Sequence, residues 1–344
     1  MKKLYLAIVA LLVLSLVVVG CPKPAAAPPA APAPAPVKPI MWRVNCNYVS
    51  DGVVGDALRW FKQDLEQRSG GRITVELYFV GALGYKGTEG FSVVKEGLVE
   101  INEIVGTTAM GEVPLTAIPS MPFLFETPDD LIYWQEKVFF PIFNEDLKKW
   151  DCQVLSSTPR WAPIYFFSKE PLRTPEDFKG KTVRTWGGIN DDALAAIGMH
   201  PFVVPTAEIY TALQRGMIET AITSYMSASE CKFWEVLEYV DVTPLYHYMQ
   251  WNVVSLSALN ALPPDLQEIV MLCGQDLTNW YAYMGHIWPK RNLKMLLDGG
   301  MEIVYPDAGT VDELARLVKP VYQRYAEKAG PVAIKLMKDL GAIE

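Results

Sequence analysis

The side chains in this 344-residue chain that can do chemistry are few, and their spacing points away from catalysis. Its three histidines, His200, His247 and His286, are not part of any HExxH, GxSxG, GxGxxG, phosphate-loop or paired-cysteine pattern. Cys46, Cys152, Cys231 and Cys273 lack CxxC spacing and read as free, buried thiols. The fifth cysteine, Cys21, follows Val18-Val19-Gly20. A branched apolar pair and a small residue before a cysteine form the motif at which a signal peptidase cuts after the thiol has been acylated. The covalent chemistry foreseen is therefore lipidation at Cys21. A second signal is the ten tryptophans. Most of them must be core, but several stand beside strand ends, where α/β folds form their pockets.

The segments around Cys21 agree with export. Lys2 and Lys3 begin a leader whose residues Leu4 to Val19 are nearly all apolar, too few for an ordinary membrane span. Residues 1–20 read as a lipoprotein signal peptide. Residues 21–39 read as a linker, with eight prolines between Pro22 and Pro39 and alanine for most of the rest. Proline fixes φ and has no N–H, so this stretch should form a semi-rigid spacer of about 55 Å. Removing Lys2 and Lys3 takes the formal charge from −8 to −10, which argues against nucleic acid as a partner. Any anion site must then be built locally.

From Ile40 onward, strand and helix signals alternate, so the fold class is α/β. Leu58, Phe61 and Leu65 share one helix face over Asp56 to Gln67, which Gly70-Gly71 ends. Ile73, Val75, Leu77 and Phe79 alternate with polar residues, as in a strand buried on one face. A helix over Phe91 to Glu96 and a strand near Glu100 to Val105 repeat the unit. Ile118 to Pro128 reads as a proline-punctuated loop. Further on, Lys181 to Trp186 reads as a strand, Asp191 to Ile197 as a helix, Pro201 to Val204 as a strand, Glu208 to Arg215 as a helix and Trp251 to Leu256 as a strand. Pro263-Pro264-Asp265 opens a helix whose apolar residues recur to Leu297, a span of roughly 50 Å, with a kink expected at Pro289. A helix of that length should touch two lobes.

Several segments, in order, resemble the substrate-binding proteins of tripartite ATP-independent periplasmic (TRAP) transporters. They are Gly71 to Leu77 (GRITVEL), Gly81 to Gly84 (GALG), Pro122 to Phe125 (PFLF), Leu172 to Arg184 (LRTPEDFKGKTVR), Glu208 to Glu219 (EIYTALQRGMIE) and Leu259 to Gln267 (LNALPPDLQ). The likeness runs from about Arg43 to the C-terminus. It implies a periplasmic-binding-protein-like fold of two discontinuous lobes, 40–160 with 249–288 and 161–248 with 289–344, joined by crossing hinge strands and a lobe-spanning helix. The lobes would close on a small carboxylate outside the cytoplasm and deliver it to a TRAP membrane permease. No catalysis, cofactor or metal is implied.

Residue by residue, the resemblance places Arg184 on the family's carboxylate-binding arginine. A guanidinium suits that role because it grips a carboxylate with two parallel bonds. The strand pattern sets Arg184 near a strand end, at the mouth of a cleft. Trp186 points to the same side and either floors the pocket or is core. Trp161 is a further lining candidate. Thr223 stands where the family places a polar contact residue, although Thr220 to Tyr225 (TAITSY) lacks the usual acid–asparagine–proline run. Ile222 stands where some members carry a glutamate, which argues against a bridging metal ion. Asn47, Thr107 and Gln250 are candidates on the first lobe and the crossover. Sialic-acid-binding relatives carry another arginine where this chain has Ile164, with Arg160 four residues upstream. One carboxylate on an apolar or aromatic body therefore fits, with a 2-oxo acid open. The alternatives are a receptor that feeds a sensor and an exported hydrolase.

Cys21→Ser should abolish lipidation and with it firm membrane attachment, since one acyl chain alone binds marginally and firm anchoring needs more. Mass spectrometry of the N-terminal peptide checks this; lipid on the serine variant would contradict the assignment.

Overall fold

Alternation at Ile73, Val75 and Leu77 becomes the outer strand of a sheet in the computed structural model, which describes residues 38–344 apart from Val49, Lys86, Arg160, Trp161, Thr206, Ala207 and Thr243. Cys21 and the segment around it lie outside the described residues. The first sheet contains β1 (Ile40–Asn45), β2 (Ile73–Tyr78), β3 (Ile101–Val105), β4 (Cys152–Ser157) and β11 (Gln250–Ser255), in the order β2-β1-β3-β11-β4. β1 runs parallel to β2 and β3, whereas β11 is antiparallel to both β3 and β4. Helix α1 (Val53–Arg68) starts earlier than its apolar spacing suggests, and it buries Ala57, Leu58, Phe61 and Leu65. Gly70 and Gly71 end it with left-handed φ of 63° and 74°.

The second sheet has the order β12-β9-β5-β8-β6-β7. Its strands are β5 (Ala162–Ser168), β6 (Thr182–Thr185), β7 (His200–Val203), β8 (Thr220–Thr223), β9 (Tyr239–Asp241) and β12 (Glu302–Val304), and β10 (Tyr246–Tyr248) pairs with β5. β6 is parallel to both of its neighbours, with Arg184 opposite Phe202 on β7 and Ala221 on β8. Helix α2 (Ile189–Ala196) follows β6. The fold is thus two-lobed α/β, each lobe built on one sheet. The chain crosses between the sheets from β4 to β5 and again from β10 to β11, where Met249 alone separates the strands.

Helix α3 (Pro264–Asp298) has 35 residues and is about 50 Å long. Its first half packs Leu266, Val270, Cys273, Leu277 and Tyr281 against α1 and the first sheet. Its last turns place Leu293, Leu296 and Leu297 in the core of the second sheet. The helix continues through Pro289 without a break. Two features differ from the sequence reading. The segment expected as a loop from Ile118 belongs partly to a buried 3₁₀ turn, Pro114–Ser120. A C-terminal helix, α4 (Thr310–Ala329), also packs on both halves: Tyr322 and Tyr325 donate to the carbonyls of Pro122 and Pro114, while Leu314 and Val318 join a core shared with α2. Cys46, Cys152, Cys231 and Cys273 are all free, and only Cys231 is not fully buried.

Gly274 is where α3 approaches β4. A Cβ there would lie 2.5 Å from the Leu155 carbonyl oxygen. Alanine normally favours a helix over glycine by about 1 kcal/mol. Here overpacking should prevail, so Gly274→Ala is expected to destabilise by about 1–3 kcal/mol. Denaturant unfolding measures this; a stabilised variant would mean the contact is looser.

Candidate functional site

Arg184 is one residue from the end of β6, and its side chain is sealed from solvent at 0% exposure. It is not at an open mouth, as the strand pattern suggested. Among its contacts, Nε donates to the Val204 carbonyl just past β7 (2.8 Å), and the guanidinium carbon lies 4.3 Å from the centre of the Trp186 ring. Trp186 is half-buried and lies just beyond the strand. Burial pulls the Arg184 pKa down to about 10, with Tyr246 and Cys231 opposing the shift, so the group is a cation at neutral pH. The turn that follows is tightly tied. Thr185 Oγ1 bonds the Asp191 carboxylate and accepts from the Gly187 N–H at 3.0 Å. Gly187 and Gly188 adopt φ of 90° and 72°, which side chains disfavour, and they lead directly into α2. At the second residue of α2, Asn190 Nδ2 reaches the Tyr246 hydroxyl at 3.4 Å.

Thr223 ends β8, two residues beyond the partner of Arg184, and period-two geometry puts both side chains on one face. It is fully buried, and its hydroxyl has no hydrogen-bond partner among the described residues. Trp161 and Arg160 lie outside the described residues. Ile164 is a core residue paired with Tyr246. Ile222 is buried in the apolar core, and among the described residues no cluster of three or more His, Cys, Asp or Glu could hold a metal.

The remaining candidates fall on the first sheet and the crossover. Asn47 is occupied: its backbone N–H donates to Glu103 Oε2 and its Nδ2 to the Glu103 carbonyl, both at 2.8 Å. Thr107 is half-buried beyond β3, and none of the described hydrogen bonds joins it to these groups. Gln250 opens β11 opposite Val105, the last residue of β3. Its Nε2 donates to the Tyr48 hydroxyl, which lies 3.0 Å from the Tyr248 hydroxyl. The structure thus groups Arg184 with Trp186, Tyr246 and Asn190, and Gln250 with Tyr48 and Tyr248. The tyrosines went unread because Tyr246 and Tyr248 sit in a three-residue strand. Their period-two spacing before Met249-Gln250 was the available signal.

The tryptophans mostly serve the cores. Trp42 and Trp251 are buried at 2% exposure or less, and Trp134 stacks on Phe139. Of those described, Trp186 is the one whose ring lies against the buried arginine.

Comparison with known proteins agrees with this geometry. The family model described as bacterial extracellular solute-binding protein, family 7, matches residues 48–329. A solute-binding protein of Sulfitobacter sp. strain NAS-14.1 is 26% identical over 279 residues, 79% of this chain and 83% of that protein. Two crystal structures share the fold. DctP7, a Bordetella pertussis extracytoplasmic solute receptor binding pyroglutamic acid, superposes with TM-score 0.77 at 19% identity, over 88% of this chain and 99% of that one. A TRAP periplasmic solute-binding protein from Sulfitobacter sp. NAS-14.1 with bound β-D-galacturonate gives 0.76 at 21% identity, over 88% and 99%.

Beneath the tyrosine pair, Glu103 is 2% exposed and accepts from the Asn47 N–H and, at 3.4 Å, from the Cys46 thiol. Burial outweighs these bonds and raises its pKa from 4.5 to about 7. A raised carboxyl pKa means that the folded state holds the extra proton. That stabilisation is fully present below about pH 4.5 and is lost as the pH rises through about 7. Between pH 5 and 8 the protein should therefore lose stability relative to Glu103→Gln, by at most roughly 3 kcal/mol. Thermal unfolding across that range tests this; parallel curves for the two proteins would contradict it.

Proposed function

The chain belongs to the bacterial extracellular solute-binding protein family 7, the DctP-type receptors of TRAP transporters, and from that premise we propose that it captures a small monocarboxylate on Arg184 and passes it to a TRAP permease. Members of this family are extracytoplasmic receptors for small organic acids. The observation that carries the finer reading is the buried guanidinium, whose carbon lies over the Trp186 ring. A guanidinium meets a carboxylate with two parallel charge-assisted bonds, which replace the hydration that the acid loses. The acids held by the two similar structures, pyroglutamic acid and galacturonate, each carry one carboxyl group, in keeping with a single arginine and with Ile164 in place of a second.

Capture works by closure. Lobes 40–160 with 249–288 and 161–248 with 289–344 rotate about the two crossings, Thr223 adds a hydroxyl contact, and Trp186 lies beside a ring or 2-oxo body. Binding is the whole task, with no bond made or broken. Cys21 carries the lipid that attaches the receptor to the membrane.

Arg184→Ala should lower affinity about 30- to 5,000-fold, the effect of removing one partner from a buried charge pair worth about 2–5 kcal/mol. Arg184→Lys should also bind clearly worse, because an ammonium cannot form the fork. The acid released from the denatured protein and identified by mass spectrometry is titrated back by calorimetry. Affinity of the alanine variant within threefold of the parent would make Arg184 a structural residue.

A further inference from the structure

Beyond the carboxylate site, a second polar group is built into the crossover. Gln250 is 1% exposed, with its Nε2 on the Tyr48 hydroxyl and its Oε1 without a hydrogen-bond partner among the described residues. Turning the amide over exchanges which end is left over, but one end always is. The two phenols beside it, Tyr48 and Tyr248, are half-buried and share one hydrogen bond. Across β10, Asn190 is fully buried, uses Nδ2 on Tyr246, and its Oδ1 likewise lacks a partner among the described residues. Each buried polar atom left unsatisfied costs about 1–3 kcal/mol, so the two amide oxygens need an explanation.

Topology places them where a bound solute would lie. Tyr48 follows the carboxyl end of β1, and Gln250 sits opposite the last residue of β3. Arg184 and Thr223 stand at the carboxyl ends of β6 and β8. Ligands of parallel sheets bind off these ends. Tyr246 and Tyr248 lie on one face of β10 and link the two groups, since Tyr246 interacts with both Arg184 and Tyr248.

We infer that the solute carries, besides its carboxylate, a hydroxyl or amide group that hydrogen-bonds Gln250 and Asn190, so that the receptor selects hydroxylated or N–H-bearing acids over acids with a hydrocarbon body. This rests on the reading of Arg184 as the carboxylate site. It narrows the aromatic-body expectation, because Trp186 is the described tryptophan at the arginine whereas the groups at the crossover, Gln250, Tyr48 and Tyr248, are polar.

The test uses the folded full chain and matched acids: pyroglutamate against cyclopentanecarboxylate, D-galacturonate against cyclohexanecarboxylate, and 4-hydroxybenzoate against benzoate. Calorimetry should show binding confined to the polar members, with at least a tenfold preference within a pair. Gln250→Met and Tyr48→Phe should each weaken that binding about tenfold or more. Equal affinity within every pair, tighter binding of the hydrocarbon members, no binding of any acid by the folded parent, or variants within threefold of the parent would overturn the inference. Failure of the Arg184 reading shows itself separately, as undiminished binding of the same acids by Arg184→Ala.

Discussion

A guanidinium taken out of water loses hydration that only fixed partners can restore, and Arg184 is taken out of it completely. Most of the second sheet can be understood as the frame that makes this tolerable. β6 lies between two parallel neighbours, so Arg184 is delivered at a carboxyl end with its backbone satisfied on both sides. Val204 accepts from its Nε, and the guanidinium carbon lies over the Trp186 ring. The Gly187-Gly188 turn, pinned through Thr185 and Asp191, keeps the following chain clear of it. In a chain with a formal charge of −8, Arg184 is the one lysine or arginine that is fully buried among the described residues.

The closure proposed for this site would turn on the connections. Met249 alone separates β10 in the second sheet from β11 in the first, a short crossing of the kind at which hinges absorb changes in backbone angle. Helix α3 packs on both cores along about 50 Å and limits how the lobes can move. The side chains nearest the crossover are polar. Tyr48 and Tyr248 meet across 200 residues of sequence, and Gln250 reaches Tyr48 across 202. Glu103 and Asn47 hold the Tyr48 loop from below.

Legibility in the sequence followed burial pattern. β2 and α1 were readable because each buries one face and exposes the other. α3 was readable from its Pro263-Pro264-Asp265 start and Gly299-Gly300 stop. β5 carries no period, since Ile164 and Phe166 enter one core while Tyr165 and Phe167 enter another, leaving a continuous apolar run. β8 is buried throughout for the same reason. The apolar spacing Leu314, Val318, Val321, Tyr322, Tyr325 does mark helix α4. Arg184 stood out only through the family's motif, because nothing local separates a buried ligand arginine from one paired on the surface. The polar cluster at Gln250 is tertiary, and no window of sequence contains it.

A crystal structure of the protein with its acid bound tests the central claim most directly. The two carboxylate oxygens should lie within hydrogen-bond distance of Arg184 Nη1 and Nη2, with the guanidinium still on Trp186 and both lobes closed over the solute. An acid whose carboxylate sits elsewhere, with Arg184 bonded to protein groups alone, would contradict the account.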